Sequence, residues 1–313
     1  TTEIYTLSLH DALPISTIFV RFPVERASRP ELEGAAVVIW TTTPWTMPGN
    51  RAVAYGPDCV YAVIAVKATA EGSRAVPGER LIVLRDLVGT VCAEAGILDH
   101  EEIDTLGGTD LAGTVCRHPL HAGGYDFPVP LLPGDFVDTE TGSGFVHIAP
   151  GHGADDWELG LRHGVPVPET VGPDGVFFDH VPLFAGRCVL RADGSEGDAN
   201  AAVLAALGDA RTLLASGTLV HSYPHSWRSK APLIFRNTPQ WFISMEKTGL
   251  RDVALAALDA TRFVPASGRR RLRGMIETRP DWCISRQRAW GVPITVFVDR
   301  ATGEPLRDQR VLE

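Results

Sequence analysis

The stretch that most constrains this chain is an apolar run at residues 35–39 that passes directly into Trp40-Thr41-Thr42-Thr43-Pro44-Trp45-Thr46-Met47-Pro48-Gly49-Asn50. A short β-branched, apolar run of this kind is the pattern of a buried strand. Pro44 and Pro48 cannot extend a central ladder, and Pro48-Gly49-Asn50 carries turn chemistry, so the strand stops where its hydroxyls begin. Three threonines are thereby delivered to one strand end, where hydroxyls and freed backbone amides collect at a cleft. A plainer meaning stands beside this one, since threonine suits any strand and proline ends any strand.

At 313 residues and 44% hydrophobic, the chain is long enough for one large domain or for two of ordinary globular composition. Its 29 basic and 38 acidic residues give a net charge of -9, which excludes a general nucleic-acid-coating protein but leaves room for a local basic face. Between residues 262 and 288 eight arginines (262, 269, 270, 271, 273, 279, 286 and 288) face only Glu277 and Asp281. A solvated surface is the commoner meaning of such a run. The five cysteines are odd in number, widely spaced and never in a C-x-x-C pair, which indicates a reducing, cytoplasmic setting rather than a disulfide framework or a zinc ribbon. No apolar run approaches a membrane span and no signal peptide is visible, so no membrane partner is expected. Residues 1–16, TTEIYTLSLHDALPIS, resemble a translated sequencing-adapter string and are set aside as a non-native segment.

Along the rest of the chain, residues 17–24 read as a strand entering the domain and 26–33 as a polar connector. Further strands are expected at 60–66 and 80–84, and a short helix at 86–95 closed by Gly96. Residues 104–133 are rich in glycine and proline, the texture of a compact β-rich domain with many turns. A second informative stretch, Gly142-Ser143-Gly144-Phe145-Val146-His147-Ile148-Ala149-Pro150-Gly151-His152-Gly153-Ala154-Asp155-Asp156-Trp157, predicts a strand through His147, a turn, and a helix from Asp155 and Asp156 to about His163 ended by Gly164. Turn and strand follow at 171–178, then an alanine- and leucine-rich helix over 198–215 with Gly208 as its weak point. Aromatic and basic residues enter after this, which places a domain boundary near residue 220.

His147, His152, Asp155 and Asp156 suggest metal ligation, yet their spacing is not H-E-x-x-H or any other ligand pattern, and glycine and proline separate them. Carboxylates near a helix N-terminus satisfy free amides and the dipole, so one of the two aspartates needs no further role. The other is read as facing the cleft. No G-x-S-x-G elbow accompanies Ser143, and Gly151-His152-Gly153 lacks the spaced glycines and lysine of a phosphate loop.

Residues 41–50 and 142–156, together with Tyr223-Pro224-His225-x-Trp227-Arg228, Thr238-Pro239-Gln240-Trp241-Phe242 and the stretch 281–293, resemble in one order the isoleucyl-tRNA synthetase family. The valyl and leucyl relatives carry T-T-R-P where this chain has Thr41-Thr42-Thr43-Pro44, so Thr43 speaks for the isoleucyl member. The resemblance implies an α/β fold. Residues 17–30 would be strand and linker, 31–220 a β-rich, barrel-like editing domain with peripheral helices, and 221–313 a connector and an incomplete segment of a Rossmann-type class I catalytic domain. The HIGH and KMSKS signatures of that core do not occur; His147-Ile148-Ala149-Pro150 is not the former. Ser226 and Ser229 stand where some relatives have cysteine, which removes a case for metal there.

By the same resemblance, Thr41, Thr43, His147 and Asp156 match catalytic positions of the editing pocket, and Trp40, Thr42, Asn50 and Asp156 its substrate-binding positions. The implied reaction is hydrolysis of valyl-tRNA for isoleucine to valine and tRNA, with no cofactor and no metal. ATP and Mg belong to the full-length synthetase. The implied partners are the aminoacylated 3′ end of that tRNA and the remaining catalytic and anticodon-binding parts of the enzyme. One methylene is worth only ~1–3 kcal/mol in a hydrophobic pocket, a magnitude established for isoleucine against valine in this very family, so a second sieve is needed. A carboxylate at Asp156 suits the free α-ammonium of the ester, and hydroxyls and amides at Thr41, Thr43 and Asn50 can orient ester or water. Backbone amides near Thr42 and Thr43 would stabilise an oxyanion. His147 is open to size selection or to water positioning. Two alternatives remain: editing for a valyl or leucyl synthetase, and a non-catalytic RNA-binding fragment.

Overall fold

The computed structural model describes residues 8–226, 229–286, 291–292, 294–300 and 302–311, with backbone only at 8–13. Trp227, Arg228, Arg288, Pro293 and the first seven residues of the segment set aside above lie outside the described residues. Compactness divides the chain into Thr1–Asn237 and Thr238–Glu313.

The first unit is built on strands β1 (Ser8–Arg26), β2 (Ala35–Thr41), β3 (Ala52–Tyr55), β4 (Val60–Thr69), β5 (Arg80–Leu84), β6 (Ile97–Gly107), β7 (Val115–Arg117), β8 (Pro128–Pro133), β9 (Phe145–Ile148) and β10 (Leu213–Ser226). Among the described residues these form one sheet in the order β6-β4-β5-β2-β1-β7-β8-β3-β9, with β10 also paired to β1. Pairing is antiparallel except between β2 and β5 and between β3 and β8. The path ends at β6 and β9 without closing, so the barrel-like form expected from the resemblance is instead an open, mixed sheet. The boundary expected near residue 220 falls inside β10, and residues 8–16 pair with Thr218–Ser226 as the outer part of β1.

Three helices cover this sheet: α1 (Val88–Ala95), α2 (Ala154–His163) and α3 (Ala199–Asp209). The first two stop at Gly96 and Gly164, whose φ of 65° and 66° is left-handed and costs glycine nothing. Strand β2 is sandwiched. Val37 and Ile39 pack into the cluster that holds Phe22 and, from α3, Val203 and Leu207, whereas Val38 turns to the opposite cluster with Val83 and, from α1, Val91. Fully burying each such side chain is worth ~1.5–3 kcal/mol, so covering both faces holds the strand's position and register firmly. The helix expected over 198–215 ends at Asp209. Arg211 has a φ of 58°, and Leu213-Leu214-Ala215 joins β10 as buried residues beside β1.

Arg21 on β1 locks this corner. Its guanidinium pairs with Glu79 at 2.8 Å and donates to the carbonyls of Arg74, Arg211 and Leu213. In the second unit, α4 (Leu250–Ala260) and α5 (Ser267–Glu277) accompany the two-stranded pair β11 (Phe242–Ile243) and β12 (Trp282–Cys283). Arg251 donates to the carbonyls of Ile276, Glu277 and Arg279, closing the end of α5. Of the arginines in the basic run, Arg269 and Arg273 both reach Asp259.

Candidate active site

Strand β2 delivers the threonines as its sequence requires, and at Pro44 the chain enters a 3-10 turn over Pro44–Gly49 that is buried throughout. Within it, Thr46 N–H donates to Thr43 O at 2.9 Å, which folds the fourth hydroxyl back toward the first three. Thr43 N–H donates to Thr41 Oγ1 at 3.1 Å, and the hydroxyls of Thr41 and Thr43 lie 3.2 Å apart. Thr43 Oγ1 lies 3.4 Å from Thr46 Oγ1, which donates to Thr43 O at 2.8 Å. Of the two amides expected to face an oxyanion, that of Thr43 is therefore already engaged.

His147, on β9, completes the network, with Nε2 2.8 Å from Thr46 Oγ1 and Nδ1 3.2 Å from Asn50 Nδ2. An amide nitrogen only donates, so Nδ1 accepts and Nε2–H donates to Thr46. Burial, with His152 nearby, holds the imidazole down at about 3, so the ring is neutral. Both ring nitrogens of His147 are thus hydrogen-bonded within the network. Asn50 is fully buried; its Nδ2 also donates to Ala52 O at 2.9 Å, while Oδ1 has no hydrogen-bond partner.

Neighbouring elements pin the turn from outside. His118 accepts Leu120 N–H at Nδ1 and donates from Nε2 to Met47 O at 3.2 Å, its ring stacked on Tyr125 at 4.7 Å. Burial pushes His118 down to about 3 as well. Arg51 donates to Pro48 O and lies 4.3 Å over the Phe127 ring. Two clefts flank the segment and share Thr42. One is lined by Thr43, Trp45, Leu190, Asn200 and Tyr223, and also by Pro14, Ile15 and Ser16 of the segment set aside; the other by Trp40, Thr41, Asp138 and residues 141–146. Trp40 and Thr42 thus face clefts rather than the hydroxyl network. Gly142, at a φ of 81°, lets its loop pass against Trp40, where an added Cβ would meet the indole at 3.1 Å.

The second informative stretch folds as the strand, turn and helix its sequence predicts, with β9 leading to α2. Asp156, in the first turn of α2, accepts Ala149 N–H at 2.7 Å, two residues beyond His147. Burial raises its carboxyl to about 6, against the bond from Ala149 and with the Asp155 charge adding to the rise. Asp155 is exposed and Asp156 half-buried, so the neighbours do point into different surroundings. Asp156 lines neither cleft and meets the threonine network only through the end of β9. His152 donates from Nδ1 to Phe235 O at 2.9 Å, has Nε2 2.7 Å from Thr170 Oγ1, and packs edge-on to Trp45. Among the described residues no three His, Cys, Asp or Glu side chains are grouped to hold a metal ion.

With this geometry the relatives can be placed. Residues 33–313 match the tRNA synthetases class I (I, L, M and V). The chain belongs to that class I family. It is 52% identical to the isoleucine–tRNA ligase of Gluconobacter oxydans over 98% of this chain and 33% of that protein. To the isoleucine–tRNA ligase of Caulobacter vibrioides it is 50% identical, over 94% and 32%. The isoleucyl resemblance of the motifs therefore holds over most of the chain. The chain spans about a third of the length of the curated relatives it matches. Among solved structures, the editing domain of P. falciparum cytosolic leucyl-tRNA synthetase aligns at a TM-score of 0.38 and 9% identity, covering 48% of this chain and 67% of that one.

This class I segment contains residues at its site that sequence reasoning missed. Thr46 joins the threonines to His147, and its signal was present: position three beyond Thr43, after a proline, is where a 3-10 turn closes. Asn200 and His118 lie 155 and 71 residues from their backbone partners on the turn, Trp45 and Met47. No local pattern connects them.

Proposed function

We propose that the threonine segment and its two clefts hydrolyse the ester of mischarged tRNA, valyl-tRNA for isoleucine, releasing valine and tRNA. The observation that carries this reading is the closed hydroxyl–imidazole–amide network of Thr41, Thr43, Thr46, His147 and Asn50 at one strand end. His147 Nε2–H points into Thr46, and Thr46 O–H into Thr43 O, so the protons of the inner members are spent inside the network. What Thr41 and Thr43 retain outward is acceptor capacity, which suits holding water or a ribose hydroxyl beside an ester carbonyl. The ester straddles Thr42, with the acyl group on one side and the terminal adenosine on the other.

The resemblance gives the α-ammonium to Asp156; because this carboxylate lines neither cleft and meets the network only through the end of β9, it would serve as the anchor only for an amino acid that reaches past His147 toward α2. Its burial makes the ionised carboxylate costly in the free protein, and a cationic group is the partner that would relieve that cost. The reaction needs no metal in this scheme. ATP and Mg would serve aminoacylation in the complete enzyme, which would also supply the synthetic and anticodon-binding parts in the cytoplasm.

The test is single-turnover release of valine from valyl-tRNA for isoleucine, beside isoleucyl-tRNA and beside binding of uncharged tRNA. Faster loss of valine than isoleucine supports the reading. Binding of tRNA with both esters intact refutes it in favour of an RNA-binding segment, and preference for a substrate of the valyl or leucyl enzymes refutes the isoleucyl assignment.

A further inference from the structure

The 3-10 turn that carries the threonine network has no side-chain cap of its own. Thr43 stands at its N-cap position without a capping bond, Pro44 has no N–H, and Thr46 N–H is bonded to Thr43 O. The remaining donor of the first turn, the amide of buried Trp45, is taken by Asn200 Oδ1 at 2.9 Å. Asn200 sits at the start of α3 in an otherwise apolar run, Ala199-Asn200-Ala201-Ala202-Val203-Leu204. Its orientation is set in turn, because Nδ2 donates to Glu196 Oε1 at 2.7 Å. Amide and carboxylate line the same cleft as Thr42 and Thr43.

We propose that Asn200 is a positioning residue for the editing reaction: oriented by Glu196, it fixes the Trp45 amide and so the angle at which Thr43 and Thr46 present their hydroxyls. This rests on the deacylase reading above. Asn200 does not touch the reacting atoms. Without it the Trp45 N–H must find another acceptor, and the turn can rotate only by drawing Thr43 away from Thr41 and Thr46 away from His147. Misplacement of that order in a reacting constellation costs up to ~10²-fold in rate.

The test uses Asn200→Ala, Asn200→Asp and the double variant Asn200→Asp with Glu196→Gln in the full chain. Single-turnover deacylation separates the maximal rate from the tRNA concentration at half-maximum, and amide hydrogen exchange over residues 43–47 reports the turn directly. Expected for Asn200→Ala is a fall in maximal rate of about tenfold to a hundredfold, the half-maximum within about twofold, and faster exchange in the turn. Asn200→Asp puts a carboxylate against Glu196 and should be as slow. Adding Glu196→Gln supplies an amide donor to the introduced carboxylate, so the double variant should recover most of the rate. An Asn200→Ala protein that melts earlier but retains its maximal rate would show a structural cap only and overturn the proposal, as would failure of the double variant to recover. If the unaltered chain itself releases no amino acid, the editing reading fails first and this proposal falls with it.

Discussion

Replacing Asp156 by Asn separates two roles that an alanine would confuse. The amide oxygen can still accept Ala149 N–H, now 2.7 Å from the carboxylate, so the tie between α2 and the end of β9 survives. What is lost is the charge. Burial raises the carboxyl from the ordinary 3.8 to about 6, which means that the ionised form is disfavoured in the folded chain. For a raised pKa the native state holds on to its proton longer than the unfolded chain, so stability is fully present below 3.8 and is lost as pH rises through 6. With asparagine standing in for the protonated acid, the variant should be more stable than the parent by about 2 kcal/mol near pH 5 and about 3 kcal/mol near pH 7.5. The histidines that titrate over the same range cancel in this difference. Activity should move oppositely, because a missing ammonium partner costs roughly 2–5 kcal/mol, at least about thirtyfold in the deacylation rate. Urea unfolding of both proteins at several pH values, with single-turnover deacylation of valyl-tRNA, measures both. A variant that is less stable at neutral pH, or a stability difference that does not grow with pH, would refute the burial argument. An unchanged rate would refute the anchor.

Asp155→Ala, at the exposed neighbour, should leave deacylation within about twofold and cost at most ~1 kcal/mol in a thermal melt. Thr46→Val strands the buried Nε2–H of His147 and should cost about 1–3 kcal/mol in urea unfolding, with Thr46→Ser recovering most of it. His118 and His147 are held at about 3 against an ordinary 6.5, so their contribution is present above pH 6.5 and is lost as pH falls toward 3. In an acid titration of stability these two groups together should contribute a limiting slope of about 3 kcal/mol per pH unit, offset in part by the opposite trend of Asp156 below its own pKa. Arg21→Met leaves three carbonyls without this donor and Glu79 without its cationic partner, with the Val76 N–H still bonded to it, and should cost roughly 3–5 kcal/mol in urea unfolding. Exhaustive chelation should leave the deacylation rate unchanged; loss restored by zinc would require a metal scheme.

The local grammar of this chain was readable wherever a residue's own backbone needs decided the outcome. The apolar run into three threonines and two prolines could only be a buried strand that stops, and Gly96 and Gly164 end their helices in the left-handed conformation that favours glycine. Where the outcome depended on distant partners, the pattern misled. Leu213-Leu214-Ala215 extends a helical alternation as well as it fills a strand, and the presence of β1 beside it decided the matter. Closure of the sheet depends on how strands far apart in sequence twist toward each other, which no local run records. At the site, the block of hydroxyls was visible and its wiring was not. The sequence leaves His147 open between two roles, because only its contacts with Thr46 and Asn50 show that both ring nitrogens are occupied.

The pairing of β1 with β10 has a mechanical side. Inward of the segment set aside, from Thr17↔Gly217 to Phe19↔Ala215, the two strands run antiparallel, so tension that parts them from that side opens the ladder one pair at a time, as a zipper does. The register slips between Phe19 and Val20, opposite Trp40 and Ile39 on β2. Unzipping from that side therefore reaches a locally disrupted step of the ladder just where β1 begins to carry the threonine strand, which β1 holds through its own separate pairing with β2.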